Sequence, residues 1–510
     1  MKLGRLRPSS SYADIKNSLG GGAGDADFNL VFRATGAVNT LNINNVAVVA
    51  VTIGTDATHR VKELKLGGNS DIVFDKNIDV FAKTITANTI GEVTFNKAID
   101  SGIDSALNFT RVGKIKFAVA GLNKIAKVDF KNNDGTITFV DGAEFEGSMD
   151  STGAGAVGNL IFEGTSKITG EIGGGNPLNL VKLQGSNATN VIFKNAIKAK
   201  KLEFTNNGKL QLNDDGVIDE LESANGVIKV SDAKTLEFTG NKNVRFDGNT
   251  IVFDGNDSGM KFNSTAANDV TVDIINNNFD TGNNARGVIS LNANGAKLTL
   301  QGKNLGVGNS LKEVAISGDR IVTVENEVNT AKFTIADGST LSYAPSGDVS
   351  LNEVSFSGAN SNLTLEAKGA DRTFTLKNNI VSNNDLEAIL KTNANGNKLT
   401  IAVTAAETIG ESNIKRLNQF IISGTSETKI DSAVFAKTIT IDSTGDVTFN
   451  KAINSGANSA LNFTQAGNIN FKEDVAVSTM AFGNNARKVI LDAGKTLTLN
   501  EITSDAGRAS

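Results

Sequence analysis

Short segments in which apolar and polar residues alternate recur along most of the chain. A phenylalanine closes many of them, and five follow one another at intervals of 21 to 23 residues: Phe74, Phe95, Phe117, Phe139 and Phe162. Alternation with a period of two is typical of a β-strand with one buried face. A fixed period with a strand at each repeat is typical of a stacked solenoid. These phenylalanines are therefore predicted to form an internal column.

Each period holds more than one alternating segment. Residues 93–95, 107–109 and 115–117 all fit a short strand, with Asn, Gly, Asp and Ser between them. Three strands in a period of about 22 residues predict a three-sided coil. The fold class is accordingly predicted to be all-β, as a right-handed parallel β-helix, or three-sided β-solenoid, of about 21 coils over residues 28–500.

Three segments depart from this pattern. Residues 1–27 lack the alternation and contain a glycine-rich run, so they are predicted to be a flexible leader. Residues 501–510 are predicted to be a disordered tail. Within residues 383–420 two stretches have apolar residues at helical spacing, which predicts short helical protrusions. Ordinary strands joined by charged turns explain those stretches equally well.

A long internal repeat supports the solenoid independently. Residues 80–110 and 434–464 match at 23 of 31 positions, at an offset of 354 residues. That offset is close to sixteen coils of about 22 residues. Two copies of a segment keep the same phase only when the chain between them contains whole coils.

Composition narrows the class of protein further. Pro occurs three times, which suits hydrogen-bonded strands because proline lacks the amide donor. The absence of Cys excludes disulfides, thiolate metal sites and cysteine nucleophiles. The net charge of −5 comes from scattered residues of both signs, without a basic stripe, so nucleic acid is not an expected partner.

Few residues could carry chemistry. His59 is the only histidine and lies three residues after Asp56 in a sequence that predicts a turn, where a solvated side chain is expected. Asp214 and Asp215, like the pair at 254 and 257, fall in turns rich in Asn and Gly. Such turns could bind calcium weakly, but no coordinating repeat accompanies them. We therefore predict no catalytic, cofactor-binding or metal-binding residues, and no cofactor.

Short phrases resemble those of a known family. They are NTIGEVTF at residues 88–95, LNANG at residues 291–295 and GDVTFN at residues 445–450. They are similar to the passenger regions of rickettsial surface cell antigens, autotransporters of the outer membrane protein A and B type. The resemblance implies a signal peptide, a long β-solenoid passenger and a C-terminal membrane β-barrel. Neither a signal peptide nor a barrel is recognised here, so we expect a passenger fragment or a truncated frame.

The resemblance also implies a function. It predicts a non-enzymatic adhesin or surface antigen, on the bacterial surface or outer membrane or secreted, that binds a host-cell receptor or matrix protein. Contact with a membrane is expected only through a barrel that this chain lacks. Two alternatives stay open: a self-assembling surface-layer or filament module that associates end to end, and a secreted carbohydrate-active β-helix enzyme.

Overall fold

The computed structural model describes most of the chain. The described residues are 13–14 and 40–504, except 46, 51, 186–188, 224, 240–241, 266–267, 276–277, 281–284, 383, 386 and 484–486. Most of the predicted leader, residues 28–39 of the predicted solenoid and residues 505–510 of the predicted tail lie outside them. The chain divides into two compact units, one of residues 1–236 with 247–250 and one of residues 237–246 with 251–510.

Every regular element in the described part of the first unit is a short β-strand. In chain order the strands are β1 (Ala13–Asp14), β2 (Thr40–Asn44), β3 (Val48–Val49), β4 (Val61–Gly68), β5 (Ile72–Phe74), β6 (Ala82–Thr89), β7 (Glu92–Phe95), β8 (Ala106–Phe109), β9 (Lys114–Phe117), β10 (Gly121–Asp129), β11 (Thr136–Phe139), β12 (Ala143–Asp150), β13 (Asn159–Phe162), β14 (Ser166–Thr169), β15 (Leu178–Leu183), β16 (Asn190–Phe193), β17 (Ile197–Phe204), β18 (Lys209–Leu212), β19 (Gly216–Ser223) and β20 (Gly226–Val230).

The rest of the described chain is built in the same way. Its strands are β21 (Thr235–Phe238), β22 (Val244–Phe246), β23 (Asn249–Phe253), β24 (Gly259–Ser264), β25 (Val270–Ile274), β26 (Asn278–Asp280), β27 (Arg286–Ala293), β28 (Leu298–Gly302), β29 (Leu311–Ser317), β30 (Ile321–Val324), β31 (Thr330–Ile335), β32 (Thr340–Tyr343), β33 (Val349–Leu351), β34 (Glu353–Phe356), β35 (Asn362–Glu366), β36 (Arg372–Leu376), β37 (Ile380–Ser382), β38 (Glu387–Ala394), β39 (Leu399–Val403), β40 (Thr408–Ile409), β41 (Leu417–Gly424), β42 (Thr428–Ile430), β43 (Ala433–Val434), β44 (Ala436–Ser443), β45 (Val447–Phe449), β46 (Ile453–Asn454), β47 (Ala460–Phe463), β48 (Ile469–Phe471), β49 (Val475–Ala476), β50 (Thr479–Phe482), β51 (Val489–Leu491), β52 (Leu497–Thr498) and β53 (Glu501–Ser504).

The strands of the first unit stack as parallel sheets. One sheet runs β1, β2, β4, β6, β8, β10, β12, β14, β16, β18 and β20, and a second runs through the odd-numbered strands from β3 to β19. Isolated parallel bridges join β10 and β12 of the first sheet to residues outside the strands, from Lys124 to Asp100 and from Met149 to Ile172. Each strand thus pairs with the equivalent strand about one coil further along the chain.

The second unit repeats this arrangement with three sheets. They run β22–β25–β28–β30–β32–β35–β38–β41–β44–β47–β50–β53, then β24–β27–β29–β31–β34–β37–β40–β43–β46–β49–β52, and β33–β36–β39–β42–β45–β48–β51. Over the residues that the structure describes there are about 20 turns, spaced about 22 residues apart. The predicted all-β parallel solenoid is confirmed.

The phenylalanine column is confirmed in register and in orientation. Phe74, Phe95, Phe117, Phe139 and Phe162 are direct partners in successive strand pairs of the first unit. Their ring centroids lie 4.7 to 6.0 Å apart, and at most 1 % of each residue is exposed. Parallel in-register stacking places like residues on like, and aromatic rings at this spacing fill the interior.

A second column and the turns complete the interior. The Phe109 and Phe130 rings stack at 4.8 Å, as their 21-residue spacing predicts. At a corner, the buried Asn123 side chain accepts a hydrogen bond from the Ile99 amide and donates to the Glu144 carbonyl. One buried amide side chain therefore bonds to the backbone of the coil on either side.

The structure decides between the two open interpretations of residues 383–420, and it places the start of the tail later than expected. The described residues of 383–420 form no helix and instead contribute strands β38, β39, β40 and part of β41. Their apolar residues pair with those of neighbouring coils, for example Leu390 with Phe420, and this tertiary pairing overrides local helical spacing. The predicted disordered tail also begins too early, because β53 (Glu501–Ser504) pairs with β50.

Removal of one ring from the column should destabilise the solenoid strongly. We expect Phe117→Ala to lower the free energy of unfolding by about 3–5 kcal/mol, because the rings above and below prevent the cavity from closing. Phe117→Asp should lower it further, since an unpaired charge would enter the core. Urea denaturation and amide exchange of β7, β9 and β11 measure both effects.

The matched control is Lys114→Ala, at an exposed position of the same strand. Its effect should stay within about 0.5 kcal/mol. A Phe117→Ala shift no larger than that of the control would contradict the structural role of the column.

Candidate binding loops

A loop interrupts the coil between Ile53 and Val61. The Phe81 amide donates to the Ile53 carbonyl at 2.6 Å, and the Val61 amide donates to the Phe81 carbonyl at 3.1 Å. Both ends of the segment therefore bond to one residue of the next coil. Residues 54–60, which we call loop A, are an excursion that leaves the coil and returns to the same place.

Loop A is closed by its own hydrogen bonds. The Thr55 amide donates to the His59 carbonyl at 3.0 Å, and the His59 amide donates to the Asp56 carbonyl at 3.2 Å. The Asp56 carboxylate accepts from the Thr58 hydroxyl and amide, and its Oδ2 lies 2.9 Å from His59 Nδ1. The hydrogen bond from the Thr58 hydroxyl, and to a smaller extent the one from the His59 side chain, hold the pKa of Asp56 well below its usual range.

Arg60 fixes loop A to a turn about two coils away. Its Nη1 donates to the Ser101 carbonyl at 2.5 Å, and its Nη2 lies 2.6 Å from Asp104 Oδ1. Only 14 % of the Arg60 side chain is exposed, against 53 % for Asp104. The hydrogen bond from Arg60 lowers the pKa of Asp104. Loop A and the turn of residues 100–105 therefore form one surface.

The second unit contains the same construction. The Phe435 amide donates to the Ile409 carbonyl at 2.7 Å, and the Leu417 amide donates to the Phe435 carbonyl at 3.2 Å. Between Ile409 and Leu417 lie residues 410–416, which we call loop B. The Glu411 amide donates to the Lys415 carbonyl at 3.0 Å, which matches the closing bond of loop A.

Arg416 fixes loop B as Arg60 fixes loop A. Its Nη1 donates to the carbonyls of Ser455 and Ala457, each at 2.9 Å, and its Nη2 lies 3.3 Å from Asp385 Oδ2. Its side chain is 11 % exposed. Ser455 occupies the position in residues 434–464 that Ser101 occupies in residues 80–110. Both arginines thus cap the same carbonyl of the repeated segment.

Each loop begins with a glycine that the geometry requires. Gly54 and Gly410 both have φ of +78°, which disfavours any residue with a side chain. A Cβ on Gly54 would lie 2.7 Å from the Phe81 Cβ, and one on Gly410 would lie 2.8 Å from the Phe435 Cβ. The two loops therefore share their entry, closure and anchor.

Sequence analysis missed these loops, although a signal exists. Residues 52–60 and 408–416 share the pattern Thr-Ile-Gly, five other residues, then Arg, at an offset of 356. The repeated segments at residues 80–110 and 434–464 are offset by 354 residues. The offset between the two loops is therefore two residues longer than that between the segments. The predicted turn around His59 is present, and it lies in loop A. Sequence alone did not indicate that Arg60 reaches a carbonyl 41 residues away.

The other residues considered for chemistry stay dispersed. Asp214 pairs with Lys234 at 2.6 Å, and Asp257 pairs with Lys312. Within the part of the chain that the structure describes, no group of three or more His, Cys, Asp or Glu side chains is placed to hold a metal ion. No helix among the described residues has the length and apolarity needed to cross a membrane.

Comparison with known proteins gives one consistent similarity. The chain is 27 % identical over 207 residues to outer membrane protein B of Rickettsia conorii (strain ATCC VR-613 / Malish 7), and 26 % identical over 206 residues to that of Rickettsia rickettsii. Each match covers 38 % of this chain and 12 % of the relative. No protein-family profile matches the chain, and no solved structure matches it.

Loss of an anchor should open its loop. We expect Arg416→Gln to accelerate tryptic cleavage after Lys415, because the variant loses its bonds to Asp385 and to the carbonyls of Ser455 and Ala457. Timed limited proteolysis with mass spectrometry measures the rate. Lys398→Gln removes an exposed ion pair elsewhere in the unit and should leave that rate unchanged. Equal cleavage in all three chains would show that Arg416 does not hold the loop.

Loop A should also open in acid. Because the folded-state pKa of Asp104 is lowered, its pairing with Arg60 stabilises the fold above the unfolded pKa of about 4, and this stabilisation is lost as pH falls through the folded value. Amide protection of residues 55–59, corrected for intrinsic exchange, should therefore fall below about pH 4. Asp104→Asn should remove the part of this pH dependence that acts through Arg60; the rest comes from Asp56, whose carboxylate accepts from the Thr58 and His59 amides and whose pKa is also lowered. An unchanged profile in that variant would contradict the assignment.

Proposed function

We propose that the chain is the exposed solenoid of a bacterial surface protein, at the outer membrane or released from it, that acts in attachment to host cells. The observation that carries this proposal is the parallel β-solenoid in a chain similar to rickettsial outer membrane protein B. A stacked solenoid exposes long rows of outward side chains and turns, which suit extended contacts with a receptor or matrix protein.

We further propose that this function is binding without catalysis. Charged groups on the outer faces are engaged in holding coils together, as in the 2.7 Å pair of Lys182 and Glu203. The two largely buried arginines of the loops bond to backbone carbonyls and to carboxylates. His59 is exposed and directed to Asp56 within its own loop. These arrangements support a structural and interaction role.

Attachment should depend on clustering. A single chain offers weak polar contacts, and display of many chains multiplies them through effective concentration. Beads coated with the purified chain should adhere to cultured eukaryotic cells at least about tenfold better than the soluble monomer binds them. Lys398→Gln, which removes an exposed ion pair outside both loops, should leave adhesion unchanged.

The outcome that contradicts the proposal is specific. Turnover of a polysaccharide by the purified chain, abolished by one substitution on an outer face, would favour the carbohydrate-active enzyme. Failure of coated beads to adhere to any cell type tested would remove the adhesin assignment.

A further inference from the structure

Loops A and B share one frame and differ at their tips. The tip of loop A reads Thr-Asp-Ala-Thr-His at residues 55–59, and that of loop B reads Glu-Ser-Asn-Ile-Lys at residues 411–415. No position of the five is identical. The same residue types flank both tips: a glycine precedes each tip, Gly54 or Gly410, and an arginine follows it, Arg60 or Arg416. The chain thus keeps the parts that hold the loop and varies the parts that face outward.

The tips rest on equivalent turns. A Cβ on Gly102 would lie 3.7 Å from the Ala57 Cβ, and one on Gly456 would lie 3.1 Å from the Asn413 Cβ. Ala57 and Asn413 are both the third residue of their tip. The Ser105 and Ser459 hydroxyls close these turns by donating to the Gly102 and Gly456 carbonyls at 2.6 and 2.7 Å. Each site therefore has two parts, a tip and a supporting turn.

An isoleucine stands out from each site. Ile103 is 96 % exposed and lies in the turn beside loop A, whereas Ile414 is 79 % exposed and lies in the tip of loop B. They are two of the three most exposed large hydrophobic residues that the structure describes. The third, Val307, lies in residues 306–310, a loop whose ends also bond to one residue, Asn329, but which contains no arginine. Single exposed hydrophobic residues are common, but one at each copy of the arginine-anchored frame, from non-equivalent positions, is not explained by packing.

Charged pairs surround each isoleucine. Asp104, next to Ile103, pairs with Arg60 and lies 3.4 Å from Lys83. Beside Ile414, Glu411 and Lys415 pair at 2.6 Å. An apolar centre within a polar rim is the composition of a protein–protein contact. The paired charges leave no basic cluster for an anionic lipid surface, and neither tip nor turn supplies Phe, Tyr or Trp on which a sugar could stack.

We propose that loops A and B, with their supporting turns, are two protein-binding sites of different specificity, each centred on its exposed isoleucine. The inference rests on the proposed attachment function and names the class of partner, a folded protein with an apolar pocket. Arg60 and Arg416 are positioning residues, which hold the tips against the turns. The tip of loop A presents the carboxylate of Asp56 and the imidazole of His59. The tip of loop B presents the side chain of Ile414 and the ammonium group of Lys415, so the two sites fit different partners.

The first test removes the apolar centres. Beads coated with the Ile103→Asp or the Ile414→Asp chain should each lose part of their adhesion to cultured eukaryotic cells. The double variant should lose about tenfold or more, since a buried unpaired carboxylate opposes docking. Val307→Asp, at an exposed position of the loop that has no anchoring arginine, should adhere as the parent does. If the double variant adheres like the parent, this inference fails while the attachment function stands.

The second test exchanges the sites. One chain carries loop A chemistry twice, with residues 411–415 replaced by TDATH and with Ala457→Ile. The other carries loop B chemistry twice, with residues 55–59 replaced by ESNIK and with Ile103→Ala. Unchanged circular dichroism and melting temperature verify that both fold. Each soluble chain should inhibit the adhesion of beads coated with the same chain and should not affect the adhesion of beads coated with the other chain. If each soluble chain fully inhibits the adhesion of both kinds of bead, the two sites do not differ in specificity.

A third arm identifies the class of partner. Protease treatment of the cell surface should abolish the adhesion that depends on the loops. Loss of adhesion after glycosidase treatment that leaves surface proteins intact, or equal binding to protein-free phosphatidylcholine vesicles, would overturn a protein partner. If the parent chain does not adhere at all, the attachment function itself fails, and that result is distinct from every outcome above.

Discussion

Parallel in-register pairing between successive coils is the constraint on which the rest of this structure depends. The described strands find their backbone partners about one coil away, on average about 22 residues, so the hydrogen bonds are satisfied only if successive coils have the same outline. Like side chains then lie directly above one another. A column such as Phe95 on Phe117 on Phe139 follows from that geometry, because a ring at one level shapes the space available at the next.

The same constraint explains where variation is tolerated. Inward positions are fixed by the column above and below, whereas turns can lengthen without disturbing the ladder if they return to the coil at the same point. Loops A and B do so, since both ends of each loop bond to a single residue, Phe81 or Phe435. An excursion built in this way leaves the strands in register. It is therefore a natural place for a recognition surface on an otherwise regular scaffold.

Holding such an excursion in one conformation reduces the entropy that binding must oppose. Each loop uses the same means: a glycine at the entry, an internal hydrogen bond across five residues, and an arginine whose head group is largely buried beneath the loop. The arginine contacts are stronger than an exposed surface ion pair, because the guanidinium bonds to backbone carbonyls that the coil itself fixes in place. Order at the loop therefore derives from the solenoid beneath it.

The sequence by itself determined the period, the strand positions and the inward orientation of the phenylalanines, because these depend on a repeat that is visible in one dimension. It also placed His59 in a turn and showed that residues 80–110 and 434–464 are copies of one segment. Only the tertiary structure decided that the described residues of 383–420 form strands and a loop, since pairing with neighbouring coils overrides local spacing. It alone placed Arg60 on Ser101 and Arg416 on Ser455. Those contacts span about two coils, and their length depends on turn conformations that no residue period encodes.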